Sequence, residues 1–266
     1  MSQDFRTVES ILALDCGSTT TQAMLLDRVG KEYRLVARAE APSTLGVPWN
    51  NVMISVRQAV SDLSQVMGWP LIDQRGQIIT PEHQLGGVDA VVAITSGSEP
   101  LRVVLAGVMR DVSLTSARRA LATTYTCVDG VVSLDREDGN DYELNYDLEG
   151  QVRLIHELLP DAILLVGGVN GGTERPVLRS AEAMALACAT LPQNNCPPII
   201  YAGNADLRPK VAEIVGTEAN LRAVENVRPS LDLENPGPLQ AEIEELYRNR
   251  KLERLPGFGT LASWSS

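Results

Sequence analysis

The sequence predicts an α/β protein that opens on antiparallel strands and continues into parallel βαβ units. Three observations carry this. Two apolar runs, AILLV at 162–166 and PIIY at 198–201, each lead into a glycine-containing turn and then a helical pattern; such alternation builds a parallel sheet through right-handed crossovers. Ahead of them, the apolar runs at 11–14, 22–26 and 33–39 have no helical stretch between them, and turn chemistry around Gly30-Lys31 separates the last two, which predicts a meander. The 266-residue chain is 44% hydrophobic and 21% charged, enough to bury a real core, and with only 4% aromatics that core is mostly aliphatic.

The elements follow in order. After Pro42 and Pro48 the period changes: Met53, Val56, Val60, Leu63 and Met67 recur three and four apart, which predicts an amphipathic helix ending near Gly68, its methionines packed in the core. A polar loop spans 73–87. The nearly continuous apolar run 88–94 predicts a buried parallel strand that empties into Thr95-Ser96-Gly97-Ser98. A helical stretch is expected over 100–110, another helix over 116–123, a strand over 127–134 and an exposed acidic loop over 135–141. Next come a short helix (152–159), the strand 162–166, the turn Gly167-Gly168-Val169-Asn170-Gly171-Gly172, and a helix over 175–190 with Pro176 in its first turn, where proline is tolerated. The strand 198–201, the turn 202–204, a helix over 206–215 and a strand over 221–224 complete the alternation. A Pro/Asn-rich linker (226–238) leads to a last helix at 239–248, and the Gly/Ser/Trp-containing tail 256–266 is expected to be poorly ordered.

Charge and cysteine usage exclude several function classes. A net charge of -11 and a pI near 4.7 repel phosphate backbones and anionic membrane surfaces, so neither nucleic acid nor membrane is an expected partner. Cys16, Cys127, Cys188 and Cys196 include no C-x-x-C pair, and His83 and His156 are the only histidines, so a zinc site is not expected. Free thiols fit a reducing compartment. The start MSQDFRTVES lacks a signal-peptide pattern, and no apolar run is long enough to span a bilayer, so a soluble, cytoplasmic protein is expected.

Two stretches could carry chemistry. There is no P-loop, since Gly30-Lys31 is followed by Glu32, and Gly167–Gly172 does not spell a dinucleotide fingerprint. The glycine pairs after strand 162–166 admit either close approach of backbone to a ligand or a tight turn without one. In ALDCGSTTTQAMLLD (13–27), an acid ends an apolar strand and a glycine and hydroxyls follow. Gly17 permits a sharp turn, the N–H groups of Ser18, Thr19 and Thr20 can face one concavity, and Asp15 suits Mg²⁺ held through water. A Ser/Thr-rich hairpin turn without a ligand fits the same spacing.

The stretch ALDCGSTTTQAMLLD resembles the first phosphate loop, D-x-G-S/T-T-T, of the actin, sugar-kinase and heat-shock-chaperone ATPase superfamily. Together with ITSGSEPLRVVLAGVM, SARRAL, DAILLVGGVNGGTE, PIIYAGN and ENVRPSLDLENPGPLQAEIEELY, it makes the chain similar to the glutamate-mutase accessory proteins, the family labelled MutL that is distinct from mismatch repair. The resemblance runs over roughly residues 10–257. It implies a ribonuclease-H-like (actin-like ATPase) domain with an added parallel βαβ unit. The division expected is 1–135 for the first ATPase lobe with its phosphate loop, 136–225 for the βαβ unit with its glycine turns, and 226–266 for linker, last helix and tail.

The resemblance also implies ATP or ADP with Mg²⁺ as cofactors and a cobalamin-dependent mutase or dehydratase subunit as partner, reactivated by a nucleotide-driven chaperone. Asp15 would organise the metal and take the catalytic part, Gly17, Ser18, Thr19 and Thr20 would contact phosphates, and Gly167, Gly168, Gly171 and Gly172 would line a second ligand surface. Two departures stand out. Gln22 replaces the Lys or Arg common after the threonines, and no second D-x-G-x-x-T loop follows: Asp129-Gly130 and Asp138-Gly139 lack its spacing. The chain therefore resembles the N-terminal part of such a protein with the second ATPase lobe missing, and hydrolysis by this chain alone is not expected. A non-catalytic interaction module of the same fold is the alternative. A small-molecule kinase needs an acidic base beside an acceptor pocket, and none can be nominated.

Overall fold

A computed structural model of the chain describes residues 8–108, 110–133, 148–192, 195–217 and 219–265. The chain forms two compact units, Met1–Glu99 with Lys251–Ser266, and Pro100–Arg250. The boundaries expected at 135 and 225 both fall inside the second unit.

In the first unit, β1 (Ser10–Cys16), β2 (Thr20–Val29) and β3 (Glu32–Pro42) form the expected antiparallel meander. After helix α1 (Val52–Met67), β4 (Ala90–Thr95) returns parallel to β1, giving the order β3-β2-β1-β4. A meander whose fourth strand lies parallel to the first is the ribonuclease-H-like opening. Side chains alternate across the sheet: Leu12, Leu14, Cys16, Ala23, Leu25 and Val91 pack on Val52, Val56, Val60 and Leu63 of α1. The helix is capped at both ends, by the Asn51 Oδ1 that accepts from Met53 N–H and by Gly68 at φ 64°. Strand β4 is parallel as expected but not fully buried. Val92 and Ile94 are exposed, because β4 is the edge of this sheet and only one of its faces is covered by the core.

The tail is ordered. Helix α7 (Phe258–Trp264) sends Leu261 and Trp264 into the core of the first unit, and the Trp264 indole N–H donates to Gln77 Oε1 at 3.1 Å. The expectation of a loose end is corrected: glycine and serine at the margins conceal two apolar residues three apart, one helical face.

Among its described residues the second unit holds five parallel strands in the order β6-β5-β7-β8-β9: β5 (Leu101–Gly107), β6 (Thr126–Ser133), β7 (Ala162–Val166), β8 (Ile199–Tyr201) and β9 (Leu221–Ala223). Counted within the unit this is the doubly wound order 2-1-3-4-5, and it contains the expected parallel βαβ units. The helix expected over 100–110 is strand β5 instead. Its Leu101, Val103 and Leu105 face α2 (Thr115–Leu121) and α6 (Gly237–Tyr247), while Val104 and Ala106 face the opposite core. That second core is made by α3 (Leu148–Leu158), α4 (Arg175–Thr190) and α5 (Arg208–Val215). A strand buried on both faces reads as unbroken apolar sequence. The acidic loop expected at 135–141 lies outside the described residues.

Candidate functional site

The first candidate site is the tip of the β1–β2 hairpin. Gly17 N–H donates to Thr20 O at 3.0 Å, and a Cβ at Gly17 would lie 2.9 Å from that oxygen, so the turn closes only around glycine. Ser43 N–H donates to Thr19 O at 2.9 Å and ties the tip to the end of β3. Below it, buried Thr21 Oγ1 donates to Ser55 Oγ at 2.8 Å, and Ser55 N–H donates to Thr44 Oγ1 at 3.0 Å. The loop is thereby fixed to the first turn of α1.

Because β4 runs parallel to β1, its C-terminal end reaches the same edge of the sheet. Thr95 Oγ1 and Ser96 N–H both donate to Cys16 O, at 3.1 and 3.2 Å. Gly97 N–H donates to Thr95 Oγ1, and a Cβ at Gly97 would lie 1.8 Å from Leu45 Cδ1. Thr95–Gly97 was not nominated from the sequence; the signal available was the hydroxyl-glycine run directly after a parallel strand.

The structure thus brings Asp15, Gly17, Ser18, Thr19 and Thr20 together. Asp15 is half-buried on the sheet face opposite α1, cross-strand from Gln22 and beside Ile94. Among the described residues its carboxylate carries no hydrogen bond or ion pair, and no partner holds the N–H groups of Ser18 and Thr19 or the hydroxyls of Ser18, Thr19 and Thr20. Unengaged donors around a glycine-closed tip fit an anion. No group of three His, Cys, Asp or Glu residues that could hold a metal occurs among the described residues. A single free carboxylate fits a hydrated Mg²⁺ better than a directly chelated ion. Cys16 is no nucleophile: burial, and then the neighbouring Asp15, push its thiol up to about 12.

The second candidate site, Gly167–Gly172, follows β7 at the carboxyl edge of the parallel sheet. Its glycines answer backbone demands, with Gly167 at φ 145°, Gly168 at 71° and Gly171 at 73°. Several of its polar groups are already engaged. Gly171 N–H donates to Asp206 Oδ2 at 3.0 Å and Gly172 N–H to Val169 O at 2.9 Å. Asn170 N–H donates to Pro229 O, and Asn204 N–H to Gly167 O. Asn226 Nδ2 donates to Gly168 O and Asn170 Oδ1, at 3.0 and 2.9 Å. At Gly171 the Asp206 carboxylate stands where an anionic ligand would accept. Asp206 and Asn226 are the residues sequence reading missed here; they lie 35 positions from Gly171 and 58 from Gly168.

Comparison with known proteins adds the following. The family model described as MutL protein matches residues 11–266. The protein named Protein MutL from Clostridium tetanomorphum is 25% identical over 248 residues, which cover 92% of this chain and 46% of that one. The chain spans about half the length of this curated relative. Among solved structures, the Aquifex aeolicus Ppx/GppA phosphatase, type II variant, aligns at 10% identity and TM-score 0.21, over 73% of this chain and 67% of that one. The ethanolamine utilization protein EutJ from Carboxydothermus hydrogenoformans aligns at 11% identity and TM-score 0.20, over 88% and 90%. At these TM-scores neither structure informs the site.

Proposed function

The chain belongs to the MutL protein family, and on that premise we propose that it is the ATPase-like half of an accessory protein that reactivates a cobalamin-dependent mutase, glutamate mutase in the first instance. One observation carries the nucleotide part of this reading: the hairpin tip offers unengaged N–H and hydroxyl donors at Ser18, Thr19 and Thr20 beside the free Asp15 carboxylate. Gly17 keeps the tip tight enough for backbone to approach a phosphate, and Asp15 would hold Mg²⁺ through water. The ion would offset phosphate charge when bound. The chain's own contribution is positioning and charge stabilisation, with no covalent step. Hydrolysis would require the half of the family protein that this chain does not cover.

Titration calorimetry with Mg-ADP tests the reading, on this chain and on a full-length relative. Magnesium-dependent binding that falls when Asp15→Asn is introduced is the expected result. Absence of binding in both proteins sinks it.

A second reading is favoured by Gln22. It faces Asp15 across the hairpin, where a basic residue would help to hold phosphate. An interaction module that keeps the fold and binds the mutase without nucleotide fits that substitution. Pull-down of a glutamate mutase subunit with and without Mg-ADP separates the two, since only the first reading makes capture nucleotide-dependent.

A further inference from the structure

Cys188 lies in the last turn of α4 and is buried, while Cys196 lies just before β8 and is half-buried. Their Sγ atoms converge on one acceptor, the carbonyl oxygen of Pro197, at 3.8 and 3.6 Å. Burial, and then a hydrogen bond with Cys196, push the Cys188 thiol upward. Cys188 is therefore the protonated inner member, and Cys196 the one that meets solutes first. Among the described residues the other two cysteines have no such neighbour: Cys16 is packed in the core of the first unit, and Cys127 is exposed on β6 beside Asp129.

We propose that Cys188 and Cys196 form a reversible intramolecular disulfide through exchange with a small-molecule disulfide of the glutathione class. The Cys196 thiolate attacks one sulfur of oxidised glutathione, expelling one glutathione thiolate and leaving a mixed disulfide. Cys188, its proton passed to solvent, then attacks the Cys196 sulfur and expels the second glutathione. Two protein thiols are oxidised, one disulfide is reduced, and the two protons end on the released thiols. The new bond pins the last turn of α4 to the entrance of β8 and closes the ring of residues 188–196.

The reduced full chain, equilibrated in glutathione buffers, acid-quenched, alkylated and digested with trypsin, provides the test. Both cysteines fall in one tryptic segment, 180–210, because Arg208 is followed by Pro209. The internal bond therefore reads as a loss of two hydrogen masses with no alkylation. A glutathione adduct adds mass instead. The internal form should exceed the singly glutathionylated segment at least about tenfold, the advantage of a preset intramolecular partner. Cys127 in the same sample should carry only glutathione. Cys188→Ala should accumulate the Cys196 adduct that the wild type resolves, and oxidation should slow amide exchange in the ring. Two alkylatable thiols at potentials where Cys127 is fully glutathionylated would overturn the proposal, as would wild-type adducts that never resolve.

Discussion

Asp15 and Gln22 are paired residue to residue across the first hairpin, so the carboxylate proposed to hold a cation faces a neutral amide. Changing either alters the charge at that site without touching the buried side of the sheet. Gln22→Lys should strengthen Mg-ADP binding about tenfold or more, in line with one added charge-assisted hydrogen bond. Asp15→Asn should remove the magnesium dependence of binding. Calorimetry at fixed ionic strength reads both.

Gly17→Ala places a methyl 2.9 Å from the Thr20 carbonyl oxygen, a backbone atom that can yield only if the turn opens. A loss of about 1–3 kcal/mol in unfolding free energy is expected. At Gly97 the closer clash is with the end of the Leu45 side chain, which can rotate, so Gly97→Ala should cost less than the 1.8 Å contact suggests. Urea titration of the two variants compares them directly.

Ser55→Ala leaves the Thr21 hydroxyl buried without its acceptor and should cost about 1–3 kcal/mol. Thr21→Val removes the other partner. The double variant should lose clearly less than the two single losses added together, because one hydrogen bond is being counted twice.

The Cys16 thiol is raised from 9.0 to about 12, so between those values the native state holds a proton that the unfolded chain has released. Stability from this group is complete below pH 9 and declines as pH rises toward 12, by at most about 1.4 kcal/mol per pH unit. Cys16→Ala should be less stable at neutral pH and show a shallower alkaline decline. Denaturation at stepped pH measures the difference in slope.

Leu261 and Trp264 anchor α7 in the first unit. Trp264→Ala should cost about 3–5 kcal/mol, and its loss should broaden or split the thermal transition by weakening that unit alone. Calorimetric scans of wild type and variant check this.

Much of this arrangement is legible along the chain. The hairpin tip, the amphipathic α1 and the two strand-turn-helix passages all carry local signals: a glycine among hydroxyls, a three-four period, an apolar pentad before glycine. Strand β5 carries no strand signal of its own: in LRVVLAG only Arg102 interrupts the apolar residues, and so short a run has no period to tell strand from helix. Thr95 and Ser96 belong beside Cys16 only because β4 runs parallel to β1, a pairing some eighty positions apart that no window contains. The glycine turn was recognised as a turn, but its hydrogen-bond partners were not. Asp206 meets Gly171 by virtue of two neighbouring parallel strands, and nothing near Gly171 in sequence announces an acid.

The first unit is discontinuous, its last helix lying beyond the whole of the second. During synthesis the ribosome delivers β1 to β4 early, but Leu261 and Trp264 arrive only after the five parallel strands have emerged. The inserted sheet has all its residues in hand first. The hairpin at 10–29 must therefore wait, with an unfinished core, until the whole of the second unit has been translated.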